Sequence, residues 1–310
     1  MGIPDIPFFA ASAIVTTMAL SSVTAMELNA SDYGVHPGGK DCGAAVRLLI
    51  NDARAKGASR INFAPGEYHF HRSSAQPMQM FISNHDQQAV HPVALPLVGL
   101  KDVQLCGNGA KFIFHGMMLP VVLMDSEDVT VNDISIDFAE PFSAEGCIIE
   151  MKDGHTTLQM SQASRYTVEN GKFLLTNNGR KDNIHCILAF EQDGRMVPTG
   201  RSGDMAWYAK AEKLTGNRVR FAEDAAAKGL SVGQTLVLRS YFRPHPGMLL
   251  YRAKDTTLNN VVFHDSQGMA LIAQRSENIT IRGGGCLRAM GGAGGDDFGA
   301  GGHGNGSEPG

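Results

Sequence analysis

The chain has 310 residues, 43% of them hydrophobic and 19% charged, with a formal net charge of −4. That length buries a sizeable core, as one large domain or two smaller ones. The charge leaves no basic stripe for nucleic acid.

The first Lys or Arg is Lys40, so the chain opens on a long stretch without cationic side chains. Within it, "PFFAASAIVTTMAL" (Pro7–Leu20) is apolar and "SSVTA" follows, with Val23 and Ala25 at the −3 and −1 positions of a small-residue cleavage site. The run is too short to span a bilayer, and no later run approaches that length. It reads as a signal peptide over 1–25, cleaved after Ala25, although a positive n-region is missing. The expected destination is the periplasm or the medium.

In "SDYGVHPGGKDCGAAVRLLINDARAKGASRINFAPGEYHF" (Ser31–Phe70), Ala44, Val46, Leu48, Leu49, Ala53 and Ala55 mark one helix face, and Gly57 marks its end. "RINF" reads as a strand, "APGE" as a turn and "YHF" as the next strand. Asp32-Tyr33-Gly34, the helix and Pro65-Gly66-Glu67-Tyr68 together resemble the opening of pectin-lyase-like, right-handed parallel β-helix proteins. That resemblance implies that "DYG" begins as a strand and that the helix covers the open end of a stack. An uncapped repeat array exposes apolar surface and strand edges.

Short strands then recur. "LKDVQLCGNGAKFIF" (Leu100–Phe114) is echoed by "SEDVTVNDISIDF" (Ser126–Phe138), and "AKDTTLNNVVFHDS" (Ala253–Ser266) by "SENITIRG" (Ser276–Gly283). The acidic residues Asp102, Asp128, Asp255 and Glu277 precede them, in steps of 26 and 22 residues, which is solenoid spacing. A β-sandwich with evenly spaced strands is the alternative. Between the two pairs, Asn170-Gly171 sits between alternating runs and signals a type I′ hairpin. Thr215-Gly216-Asn217 repeats the idea. An antiparallel β insert is therefore expected over 142–240. It separates solenoid parts at 26–141 and 241–282.

No local motif carries a reaction by itself. "HPGGKDCG" lacks the spacing of a phosphate loop. His69 and His71 share a strand face but read as a polar face, so no metal and no cofactor are expected. Cys42, Cys106, Cys147, Cys186 and Cys286 fit no zinc or CxxC pattern. They read as buried thiols, or as partners for some pairing in an exported protein. "FISNHDQQ" (Phe81–Gln88) is a polar loop, either locally capped or at the mouth of a sugar site. Arg243, His245, His264, Asp265, Gln274 and Arg275 lie at strand ends or turns between apolar runs. They supply the forked donors and acceptors that a carbohydrate site uses to read hydroxyl groups. Turn capping and salt bridges between coils are the alternative for each.

"RPHPGMLLYRAKDTTLNNVVFHDSQGMALIAQRSENITI", "FISNHDQ", "FIFHGMMLP" (Phe112–Pro120) and "DVTVNDISIDFAEPF" (Asp128–Phe142) resemble the α-1,3-galactosidases of glycoside hydrolase family 110, in the family's order. The resemblance implies a right-handed β-helix with inserted β-barrel-like modules. It also implies an exported, metal-independent enzyme that removes terminal α-1,3-linked galactose from glycans, including blood-group-B-type structures, with inversion. Its expected partner is such a glycan, with no nucleic acid and no membrane span.

The family's catalytic acids sit in a "DDAxNVHG"-like context that this chain lacks. Residues 283–310 hold 13 of its 36 glycines, and Asp296-Asp297 there stand in "GGDDFGAGGHG". No catalytic role is carried onto them, because inversion needs two carboxyl groups held roughly 6.5–9.5 Å apart. The expectation is a disordered tail in a non-native reading frame, and with it an inactive N-terminal fragment. The readings left open are a non-catalytic glycan-binding β-helix and another polysaccharide-active β-helix enzyme.

Overall fold

A computed structural model describes residues 26–198 and 205–286. The leader over 1–25 and the glycine-rich residues from 287 on lie outside them. The described chain is mostly strand.

Its larger body is two parallel sheets. In the first, strands Arg60–Asn62 and Gly66–His71 both lie against Lys101–His115, followed by Glu127–Phe138, Lys254–Phe263 and Glu277–Arg282, every pair parallel. The two echoed segments of the sequence, 101–115 and 127–138, are thus direct neighbours. The register explains why these sequences echo one another. Val103, Val129 and Thr256 stack in one row, Leu105, Val131 and Leu258 in the next, and Phe112, Ile136 and Phe263 in a third, all buried. Phe70, Phe114 and Phe138 form a further row, with ring centroids 5.2 Å and 5.8 Å apart. Like side chains in register bury their apolar faces against one another with alternate residues pointing out.

The second sheet joins Val90–Val98, Leu119–Met124, Met248–Tyr251 and Leu271–Gln274 in parallel, with Gln76–Gln79 antiparallel at its edge. Leu119–Met124 is buried at every position. Val121 and Leu123 face the main core, whereas Val122 and Met124 face a second cluster with Met80, Ile82 and Leu249. A strand covered on both faces reads as a continuous apolar run rather than an alternating one.

The corners are set by left-handed residues. Asp102, Asp128, Asp255 and Asn278 all have φ between 48° and 56°, a conformation that Asp and Asn adopt more readily than other side chains. This corrects the repeat reading in one detail. Glu277 stacks on Lys254 rather than on Asp255, so the last step is 23 residues, and the acidic punctuation marks a backbone need. Lys101, Glu127, Lys254 and Glu277 instead form a ladder of alternating charge beside it.

The helix spans Gly43–Lys56 and stops at Gly57, whose φ is 64°. Val46, Leu49, Ile50 and Ala53 pack into the same core as Ile61, Phe63 and Leu95. Ala44, Leu48 and Ala55, expected on that face, are exposed, because the face turns through Ile50 instead. The "DYG" segment also differs. Ala30–Tyr33 is one turn of 3₁₀ helix ended by a left-handed Gly34, and Tyr33 donates its hydroxyl to Asp52 on the helix.

Strands from Ala144 to Arg239 pair only antiparallel and only with one another. Tyr166–Glu169 and Lys172–Asn177 form the hairpin expected at Asn170-Gly171, with φ of 51° and 72° at those two residues. Ala211–Leu214 and Arg218–Phe221 form the second. Their core gathers Leu158, Phe173, Trp207 and Phe221. Cys42, Cys106, Cys147 and Cys186 are free thiols, all but Cys147 buried. No helix among the described residues is long and apolar enough to cross a membrane.

Candidate functional site

The polar loop 80–89 and the segment 243–274, about 160 to 190 residues apart in sequence, meet in space. Asp86 N–H donates to the Arg243 carbonyl at 3.0 Å, and Asp86 Oδ2 accepts the Arg243 N–H at 2.9 Å. Gln88 Nε2 donates to the Pro244 carbonyl at 3.1 Å. Gln274 clamps the other end: its Oε1 accepts Ser83 N–H at 2.6 Å and its Nε2 donates to the Phe81 carbonyl at 3.0 Å.

Behind this loop lies a group of neutral histidines. His91 Nδ1 and His245 Nδ1 are 3.2 Å apart, and both residues are buried. His85 accepts Met269 N–H on Nε2 at 3.2 Å, which leaves Nδ1–H to donate to the Ser83 carbonyl at 3.0 Å. Burial lowers the pKa of all three, and His245 falls to about 3. The turn of chain beside them must be thin. A Cβ on Gly268 would stand 2.3 Å from His85 Nε2 and 2.9 Å from the His245 carbonyl.

That turn, 263–268, forms one wall of a cleft of about 580 Å³. The antiparallel sheet supplies the other wall with Glu145, Phe190 and Arg239, and the crossing segments add Phe142, Phe242 and Arg243. Asp265 joins the walls. Its Oδ2 accepts the Phe142 N–H at 2.7 Å, where the chain enters the antiparallel sheet, and its Oδ1 accepts its neighbour Ser266 N–H at 2.9 Å. An edge of the residue stays accessible from the cleft, but its carboxyl is enclosed by protein. Desolvation pushes that carboxyl up to about 7, against the opposing pull of the two backbone N–H groups. Phe142 and Phe242 lie 6.0 Å apart, and the Arg180 guanidinium covers Phe242 at 3.8 Å.

Of the residues singled out in the sequence, the cleft gathers Arg243, His264 and Asp265. It does not include His245, which is in the buried histidine group, or Gln274, which clamps the loop. Arg275 sits at a left-handed corner with φ 51°, on a shallow surface beside Arg252 and Lys254. Glu145, Arg239 and the phenylalanines of the cleft carry no signal in the sequence, because nothing local announces which strand of a hairpin faces another sheet. His69 and His71 meet His115: His69 Nδ1 is 2.9 Å from His115 Nε2, and the His71 and His115 rings stack at 4.2 Å. Among the described residues no group of three or more His, Cys, Asp or Glu side chains could hold a metal ion.

A cleft walled by aromatic rings, with cationic forks and carboxyl groups converging on it, suits a small polyhydroxylated ligand. Comparison with known proteins gives the class first. Residues 144–236 match the model of the GLAA-B beta-barrel domain I. The relatives are named alpha-1,3-galactosidase B. That of Akkermansia muciniphila is 39% identical over 84% of this chain and 33% of its own length. That of Phocaeicola vulgatus is 36% identical over 71% of this chain and 36% of its own, and that of Parabacteroides distasonis 32% over 82% and 42%. By sequence the chain is a relative of the α-1,3-galactosidases of glycoside hydrolase family 110. It spans between a third and somewhat over two-fifths of the length of these relatives.

Proposed function

We propose that the chain supplies the sugar-binding cleft of a secreted glycoside hydrolase that removes terminal α-1,3-linked galactose, blood-group-B-type glycans included, with inversion. The two parallel sheets are the faces of a right-handed parallel β-helix, over 26–141 and 241–282. The antiparallel module over 142–240 is inserted between its coils, and export follows cleavage after Ala25.

One observation carries the reading: Arg239, Arg243, His264 and Asp265 converge on a cleft of about 580 Å³ between the two bodies. That volume lies within the range of small-molecule sites, about 300–1,000 Å³. Guanidinium forks donate to vicinal hydroxyl pairs, a carboxyl accepts from them, and the Phe142 and Phe242 rings meet the apolar face of a sugar. The relatives' printed name supplies the linkage.

The test is galactose release from an α-1,3-linked galactoside, together with calorimetric binding of methyl α-galactoside. Release of the β anomer first is expected of inversion, and Arg243→Ala is expected to weaken binding at least tenfold. Preference for another linkage, or neither release nor binding, refutes the reading.

A further inference from the structure

Two large aromatic side chains stand in solvent beside the cleft. Tyr208 is 65% exposed and Tyr241 57% exposed. Their hydroxyl oxygens are 3.5 Å apart. The Tyr241 ring stacks on His185 with centroids 4.7 Å apart and planes 25° from parallel, and Tyr208 meets the same imidazole edge-on at 6.0 Å. The backbone beneath is fixed. Trp207, fully buried, donates its N–H to the His185 carbonyl, and the His185 N–H donates to the Arg239 carbonyl, both at 3.0 Å. Arg239, Ser240 and Phe242 line the cleft, so Tyr241 stands between two residues of its wall.

We propose that Tyr208 and Tyr241 form a second sugar subsite, which stacks a pyranose ring of the glycan next to the galactose held in the cleft. The inference rests on the glycan reading of that cleft. A pyranose presents a face of C–H groups and a rim of hydroxyls. A tyrosine offers the complement, a flat apolar ring with a donor and acceptor at its edge. The rings are preorganised, so little ordering entropy opposes stacking. Their size also selects the occupant. Two partly exposed aromatic rings, each worth roughly 150–250 Å² when buried, fall far short of the roughly 1,200–2,000 Å² of a stable protein interface.

Calorimetry or chemical-shift titration of the chain tests this with two ligands. One is methyl α-galactoside, a single ring. The other is a trisaccharide ending in α-1,3-linked galactose. The trisaccharide is expected to bind about tenfold more tightly. Tyr208→Ala/Tyr241→Ala should bring it to the level of the single ring, leave methyl α-galactoside unchanged, and be rescued by Tyr208→Phe/Tyr241→Phe, which keeps the rings. Unchanged trisaccharide affinity in the alanine pair, with loss in Arg243→Ala, overturns the subsite and leaves the cleft standing. Loss in the alanine pair with no effect of Arg243→Ala keeps the subsite and refutes the cleft. Neither sugar binding the unsubstituted chain overturns both. Self-association abolished by the alanine pair assigns the rings to a contact between copies and overturns the subsite.

Discussion

Replacing His245 by Gln should make the fold markedly less sensitive to acid. His245 is 1% exposed, and its imidazole meets His91, 3.2 Å away, with His85 and Arg72 adding further positive potential. Desolvation comes first among the causes that hold its pKa near 3, well under the ordinary 6.5. The sign follows directly. Below pH 6.5 the unfolded chain takes up a proton that the folded chain refuses until about pH 3, so stability is full above 6.5 and falls across that window. At about 1.4 kcal/mol per pH unit, His245 removes about 3 kcal/mol by pH 4.5 and about 5 kcal/mol by pH 3. Whole domains hold about 5–15 kcal/mol, so this group alone takes a large share. The hydrogen bond between the imidazoles adds a constraint, since at least one of His91 and His245 must be neutral for it to form. Gln keeps a polar side chain beside His91 but cannot titrate. Urea unfolding followed by far-UV circular dichroism at pH 7.5 and 4.5 gives the comparison. The unsubstituted chain should lose about 3 kcal/mol more between those pH values than His245→Gln does. Carboxylates common to both proteins cancel in the difference. Parallel losses within about 0.5 kcal/mol would refute the argument and place the acid-sensitive group elsewhere.

Asp265 acts in the opposite direction. With its carboxyl raised from 3.8 to about 7, stability is full below 3.8 and falls as pH rises to about 7, so Asp265→Asn should flatten the profile in that window; an unchanged profile by the same urea assay counts against an enclosed carboxyl. Asp265→Ala removes the acceptor for Phe142 and Ser266 and should lower stability by about 1–3 kcal/mol at pH 6, read from the unfolding midpoint. Phe114→Ala empties the aromatic row between Phe70 and Phe138 and should cost about 3–5 kcal/mol; a loss under about 1 kcal/mol would mean that the row is not packed as described. Gly107→Ala places a Cβ 2.3 Å from Ile134 and 2.4 Å from the Asp133 carbonyl, so soluble yield and unfolding midpoint should both drop, and a neutral result would refute that close approach.

The sequence by itself determined the features that depend on near neighbours along the chain. The helix and its glycine stop, the Asn170-Gly171 hairpin and the echo of 101–115 in 127–138 were legible because each rests on a local backbone conformation or on one strand period. The recurring Asp was legible too, but its cause was not. Only the stacked corners show that Asp102, Asp128, Asp255 and Asn278 share a left-handed backbone, and that Glu277 belongs to the neighbouring charge ladder.

The site was legible only in part. Arg243, His264 and Asp265 stood out as polar residues between apolar runs, as did His245 and Gln274, yet the two groups have different neighbours. Position in the chain does not say whether a polar side chain faces a cleft, a buried imidazole or a loop carbonyl. Glu145 and Arg239 reach the cleft through the fold of the antiparallel sheet, and the loop 80–89 reaches Arg243 across about 160 residues. Such placements depend on how whole sheets pack, which is set by the summed burial of residues distant in sequence. The tertiary structure alone decided them.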